Sequence, residues 1–290
     1  MSRGFLLVFI ALGGALAVLF AVFPLWDLEV AQVFFDPERA RFPLSVTYEW
    51  NLVRPAANWV PFLLLAPAAF AVLRKLIFPH QKMPIAPSVV LYLIGSSLIG
   101  PGVAANLVLK ENWGRPRPNG VQQFAWTADF QPWWRPSDAS KRNFCFVSGE
   151  ASEAFWTVAP ATPASGIAAL CRARRAKPSG RWRRRRLHRR GAVIFGTAVG
   201  YLRVVFGRHF VSDIVFAGLI TIVVVFALYR LLLDPVRRND ARLERGLERV
   251  SIGLHRGIGA VLGGAGRALA SAGSSLRSTG QHLHKRVACL

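Results

Sequence analysis

The chain is short of acid, of cysteine and, over long stretches, of charge of any kind. Asp and Glu number 15 against 37 Lys and Arg, which leaves a formal net charge of +22. The three cysteines, Cys145, Cys171 and Cys289, have no metal-ligand spacing, and in the topology below the membrane separates them, so neither a metal knot nor an intramolecular disulfide is expected. Charged residues make up 18% of the sequence and hydrophobic ones 52%, with a mean hydropathy of +0.32, a balance that argues against a soluble domain and for a membrane protein. No charge occurs between Arg3 and Asp27, between Arg54 and Arg74, or between Lys82 and Lys110. Each gap can cross a hydrocarbon core of roughly 30 Å at about 1.5 Å per residue.

Three shorter gaps, from Glu153 to Arg172, Arg190 to Arg203 and Asp213 to Arg230, complete six crossings. The expected fold is therefore an all-α polytopic membrane protein, a six-transmembrane-helix bundle spanning residues 1–233. Met1 to Phe23 is longer than a usual signal-peptide core and lacks a clear cleavage site, so it reads as a retained first helix. With both termini in the cytosol, 11 of the 37 Lys and Arg fall outside and the rest inside, including the eleven between Arg172 and Arg190. The pI near 11.6 then reflects topology and attraction to anionic lipid, and no nucleic-acid partner is expected. All nine tryptophans except Trp182 fall on or near the outer side. Residues 234–290 form a basic, Gly-rich cytosolic tail with Leu243, Leu247, Val250, Leu254, Ile258 and Val261 at amphipathic spacing, a signal that fades beyond about Gly263.

The chemistry concentrates in the stretch from Tyr201 to Asp213. On a helix starting near Gly207, His209 and Asp213 share one face, so the carboxylate can hold one imidazole nitrogen and leave the other to attack. Gly207 offers a point where one helix ends and another begins, which would bring Arg203 to His209. Two further clusters fall on the same side. Lys110-Glu-Asn-Trp-Gly-Arg-Pro-Arg-Pro118 opens an irregular, proline-rich loop, and alone it reads as a basic interfacial anchor. Phe146-Val-Ser-Gly-Glu-Ala-Ser152 starts the fourth helix, where Ser148 and Gly149 offer a hydroxyl and free N–H groups, or simply a helix cap. Together they supply three cations (Lys110, Arg117, Arg203), neutral donors and an oriented nucleophile, a set suited to a dianionic phosphate.

Lys110-x6-Arg117-Pro118, Ser148-Gly149 and Arg203-x5-His209-x3-Asp213 resemble the three-part signature of the type-2 phosphatidic acid phosphatase superfamily, over roughly Leu109 to Gly218. The resemblance implies that His209 forms a phosphohistidine, that Asp213 orients it, and that Lys110, Arg117, Ser148, Gly149 and Arg203 hold the phosphoryl oxygens without a metal or other cofactor. The family's second part ends in a histidine that protonates the leaving oxygen, where this chain has Glu150. All five other histidines fall on the cytosolic side, so Glu150 is the candidate acid; the opposing reading is a carboxylate that only pairs with Arg or Lys.

The expected activity is a membrane lipid phosphate phosphatase, with a lipid A phosphate as first substrate and its site on the periplasmic face of a bacterial inner membrane. Undecaprenyl pyrophosphate, phosphatidic acid and phosphatidylglycerol phosphate are alternative substrates. The alternative activities are a lipid phosphotransferase using the same site and a non-catalytic lipid-binding scaffold.

Overall fold

The computed structural model describes residues 3–138, 145–162, 178–233 and 239–287. Among them the chain is all-α, with no strand beyond two isolated bridges. Its helices are α1 (Arg3–Val22), α2 (Trp26–Gln32), α3 (Tyr48–Ile77), α4 (Pro87–Asn112), α5 (Gly149–Trp156), α6 (Pro178–Val205), α7 (Val211–Leu232) and α8 (Asp240–Val287).

Three of them, α3, α4 and α7, are long and apolar enough to cross a membrane. α1 and α2 add a fourth if their pair, bent by 89°, counts as one span. That is fewer than the six crossings expected. The helix placed at the fourth crossing ends at Trp156, and residues 163–177 lie outside the described residues. At the fifth, α6 begins in the arginine-dense stretch, which dilutes its apolar run.

Local sequence accounts for the breaks. Pro24 precedes α2 and removes the N–H that would continue α1. Pro87 stands at the first turn of α4, where a missing N–H costs nothing. Inside α4 the α-helix over Pro87–Ser97 widens to a π-helix over Leu98–Leu109, around Pro101, and tightens again at Lys110–Asn112. Such widened turns recur at functional sites. Here the widened segment carries Asn106, whose Nδ2 donates to the Pro101 carbonyl at 2.8 Å.

The chain forms two compact units, Met1–Ala71 with Pro84–Asp240, and Val72–Met83 with Ala241–Leu290. In the first, α7 is the central helix and packs against α1, α4, α5 and α6. Its Ile214, Ala217 and Ile222 are buried with Phe155 of α5 and Val204 of α6. A second cluster, Phe42, Val121, Phe124, Cys145 and Phe210, lies among the connecting segments. Trp156 donates to Ser96 Oγ at 2.9 Å, a polar tie between α5 and α4. In the second unit, the turn after α3 packs on one face of α8.

Candidate active site

The turn between α6 and α7 places the histidine. Gly207 has φ +62°, and its N–H donates to the Val204 carbonyl at 2.8 Å, while Arg208 N–H donates to the Arg203 carbonyl at 3.0 Å. These two bonds are the Schellman closure of a helix, which needs a residue that tolerates positive φ. A Cβ at Gly207 would also collide with the Phe42 ring. His209 N–H reaches the same Arg203 carbonyl at 3.3 Å, so the expected break at Gly207 does join Arg203 to His209. The chain then re-enters a helix, where the Asp213 carboxylate accepts from the Phe210 N–H at 2.8 Å.

His209 and Asp213 are both buried and in contact, but beyond direct hydrogen-bond length. Nδ1 of the imidazole lies 3.7 Å from Asp213 Oδ2, longer than a hydrogen bond. The Cys145 thiol sits against both, 2.7 Å from Asp213 Oδ2 and 3.5 Å from His209 Nδ1. Burial pushes that thiol well above the ordinary thiol range, and Asp213 pushes it further, so it serves as a donor. Burial also lowers the His209 pKa to about 4, against the pull of Asp213 and with help from Arg203 and Arg117. The imidazole is therefore neutral at pH 7, the form in which its second nitrogen, Nε2, carries a free lone pair.

Behind the pair stands a network that the sequence reading missed. Arg115, fully buried, donates from Nη1 to Asp213 Oδ1 at 2.6 Å and to Ser212 Oγ at 2.8 Å. Its Nη2 donates to Asp27 Oδ2 at 2.8 Å and its Nε to the Gln131 carbonyl at 2.8 Å. Asp27 also accepts from the Ser212 N–H at 3.0 Å and from its hydroxyl at 2.5 Å. The Phe210 ring lies 4.5 Å from the guanidinium carbon. Burial alone would lower the Arg115 pKa, but Asp213 and Asp27 outweigh it and raise it. One cation thus bridges two buried carboxylates, as a planar guanidinium fork can and an ammonium cannot.

Sequence offered one usable signal for this network. Asp27 follows an uncharged run of more than twenty residues, and a carboxylate at the end of such a run needs a partner. Its partner lies 88 positions away, and no local pattern points to it.

On the other side of His209 lie the remaining predicted residues. Ser148 is the N-cap of α5 and its hydroxyl oxygen accepts from the Ala151 N–H at 3.3 Å, leaving its own O–H to donate. Gly149 is pressed against Asn106, so that a side chain there would strike the amide of the widened α4 segment. Arg203 is buried, and its Nε and Nη1 have no hydrogen-bond partner. Lys110 lies in the field of Arg117 and Arg203, and His209 in the field of Arg203 and Arg117. All eight candidate residues are thereby brought to one region. Arg208 joins the same field from the turn itself.

Glu150 is held by an unexpected partner. Arg54 of α3 donates from Nη2 to Oε1 at 2.6 Å and from Nε to both oxygens at 3.2 Å. Arg203 Nη1 stands 3.5 Å from Oε2. Accepting from a guanidinium on both oxygens is the pattern of an ionised carboxylate.

The ligand atoms of Cys145, His209 and Asp213 lie within 4.8 Å of one another, close enough to hold a metal ion. In this arrangement the thiol and the carboxylate are already joined to each other, and Arg115 stands against Asp213.

Known proteins agree with the class that this geometry defines. The model of the PAP2 superfamily matches residues 88–237, slightly more than half of the chain, and the chain belongs to that superfamily. The match contains every motif of the three-part signature. Among individual relatives, the lipid A 4'-phosphatase of Francisella tularensis subsp. novicida (strain U112) is 29% identical over 220 residues, covering 74% of this chain and 90% of that protein. The lipid A 4'-phosphatase of Rhizobium leguminosarum is 27% identical over 252 residues, covering 75% and 91%. No solved structure matches.

Proposed function

We propose that this membrane protein is a lipid phosphate phosphatase that removes phosphate from a lipid A-type substrate through a phosphohistidine at His209. The observation that carries the reading is Arg203, a buried guanidinium with two nitrogens that make no hydrogen bond and an ion pair to Glu150 only at 3.5 Å, next to a buried neutral histidine whose Nδ1 side faces a carboxylate. A buried cation left open on that scale is stabilised by an anion that arrives with the substrate.

In this reading Arg203, Arg117 and Lys110 take the phosphoryl oxygens, with Ser148 and the N-terminal N–H groups of α5 as neutral donors. His209 Nε2 attacks phosphorus while Asp213 holds the Nδ1 proton. The phosphorus–oxygen bond to the lipid breaks, and its electron pair leaves on the lipid oxygen, which takes up a proton. Water then attacks the phosphohistidine, loses a proton, and releases inorganic phosphate and the neutral imidazole. Formation of the charged intermediate draws Asp213 closer, and a contact of 3.7 Å leaves room for that. The lipid A-type substrate is supported by the named activity of the two relatives. The excess of Lys and Arg on the tail and the connecting basic turns supports a site on the opposite, periplasmic side.

Glu150 reads as the group that fixes Arg54 and Arg203 before substrate binds. It becomes a proton donor only once the phosphate takes over its guanidinium partners.

The test is phosphate release by the purified full chain from lipid A, undecaprenyl pyrophosphate, phosphatidic acid and phosphatidylglycerol phosphate, with the lipid product weighed by mass spectrometry. Wild type is expected to release free phosphate from lipid A, and His209→Ala to release none. Full activity in that variant, or phosphate that appears only on an acceptor lipid, overturns the hydrolase reading. Glu150→Gln tells the two roles of the carboxylate apart: a larger loss on lipid substrates than on activated aryl phosphates marks an acid, and an equal loss marks a positioning residue.

A further inference from the structure

We propose that α8 is an anchor for an anionic lipid bilayer, bound through an exposed apolar stripe while its arginines meet the lipid head groups. At roughly 100° per residue the helix presents three separate faces. The first is occupied. Glu244 accepts from the Met83 N–H at 2.9 Å, Lys75 Nζ stands 3.7 Å from Glu244 and 3.6 Å from Glu248, and His80 lies 3.1 Å from Glu248. Ser251 closes this face by donating to the Leu76 carbonyl at 2.8 Å.

The second face is apolar and open. Val250, Leu254, Ile258 and Val261 follow one another at helical spacing, and they are 57%, 50%, 58% and 72% exposed. Gly253 and Gly257 flank the stripe without side chains, so it is a broad, shallow apolar surface. A contiguous stripe of this kind in water calls for an apolar occupant. The third face carries Arg242, Arg245, Arg249 and Arg256, all exposed. The acidic residues of the helix are Asp240, Glu244 and Glu248; Glu244 and Glu248 are used on the first face, and Asp240 accepts from the Ser88 N–H at 3.0 Å. The helix therefore shows cations outward and keeps its anions engaged.

Charge decides the occupant. A basic polar face opposite an apolar stripe is the composition of a helix that lies in the interface of an anionic membrane. A second copy docked through the same stripe would leave the arginine face, on the far side of the helix, without an anionic partner. The membrane is also within reach by connectivity, because Leu232, the last residue of α7, and Asp240 are eight positions apart, at most roughly 28 Å of extended chain.

The full chain is tested in nanodiscs of phosphatidylcholine alone and of phosphatidylcholine with phosphatidylglycerol. Cys171 and Cys289 are replaced by Ser, buried Cys145 is kept, and an environment-sensitive fluorophore is placed on Leu254→Cys or, in a second variant, on Ile258→Cys. The expected result is a blue-shifted emission quenched by nitroxide lipids, stronger in the anionic discs and reversed by high salt. Each change among Arg245→Ala, Arg249→Ala and Arg256→Ala is expected to lower the bound-to-free ratio roughly fivefold. A probe that stays open to acrylamide and is not quenched by lipid in either disc overturns the proposal. So does cross-linking of the probe to a second copy without lipid quenching.

Discussion

Two clusters of charge flank His209, and they are built on opposite rules. Behind it, Asp27, Arg115 and Asp213 form a closed set in which the guanidinium spends its nitrogens on named acceptors and both carboxylates are fully buried. In front of it, Arg203 is also buried but makes no hydrogen bond through Nε or Nη1, standing 3.5 Å from Glu150, and Glu150 and Arg54 are partly exposed. A satisfied buried network holds a shape. An unsatisfied one of the same chemistry stores binding capacity for an anion. The comparison predicts that arginines on the two sides of one histidine fail in different ways when removed.

Arg115→Ala is the sharpest way to break the closed side. It leaves two buried carboxylates without their cation, and the expected cost is about 3–5 kcal/mol of stability, read as a lowered melting temperature in detergent. Arg115→Ala with Asp27→Asn should regain part of that loss; no recovery would mean that the two residues are not coupled. Arg203→Ala tests the open side. It should lower phosphate release by on the order of 10²- to 10³-fold while leaving thermal stability close to wild type, because the residue removed made no hydrogen bond through Nε or Nη1 and Glu150 keeps Arg54 as its partner. Equal destabilisation by the two changes would dissolve the contrast.

The buried histidine adds a pH signature. Its pKa of about 4 in the folded chain is below the ordinary value of 6.5, so as pH falls through that window the unfolded chain takes up a proton that the folded chain refuses. Stability should decline between about pH 6.5 and pH 4 by as much as about 1.4 kcal/mol per pH unit, then level off below. In His209→Gln the contribution disappears, and an unchanged slope in that variant would place the imidazole in water. The smallest effect is expected at Cys145→Ala, which deletes the thiol donor to Asp213 and should cost about 1–3 kcal/mol. Cys145→Ser, with a hydroxyl donor in the same place, should recover part of it.

Much of the site was legible because its residues are organised over short distances. Lys110 to Pro118, Ser148-Gly149 and Arg203 to Asp213 are each set by local rules, a helix end, a helix start and a glycine-closed turn, and their spacing survives without knowledge of the fold. The break at Gly207 is an example: φ +62° there is a property that the residue type announces. The partnership of Glu150 was half legible, since a pairing with Arg or Lys was foreseen, but Arg54 lies 96 positions away on another helix. Nothing in the local pattern sets Arg115 apart from the other cations of its loop, and the cysteine spacing speaks only to metals and disulfides, not to a thiol donor at Cys145. The six-crossing count rests on uncharged gaps, which measure composition, whereas a crossing helix must also run unbroken. Among the described residues three helices qualify, or four with the bent α1–α2 pair, and residues 163–177 lie outside them.

By itself, then, the sequence determined the class of fold and the three signature motifs, and it put His209 forward as the candidate nucleophile. Hydropathy and short-range spacing are properties of neighbouring residues, and they act before any tertiary contact forms. Only the tertiary structure decided which charges are spent and which are kept. Arg115 and Arg203 are the same residue type in similar surroundings of prolines, aromatics and apolar helices. One meets two carboxylates from distant helices at hydrogen-bond length, and the other stands 3.5 Å from Glu150 with Nε and Nη1 making no hydrogen bond. Hydrogen-bond saturation depends on which groups packing brings within about 3 Å. No local pattern encodes that, and it is what sets the saturated Arg115 apart from Arg203, for which a phosphate is the proposed partner.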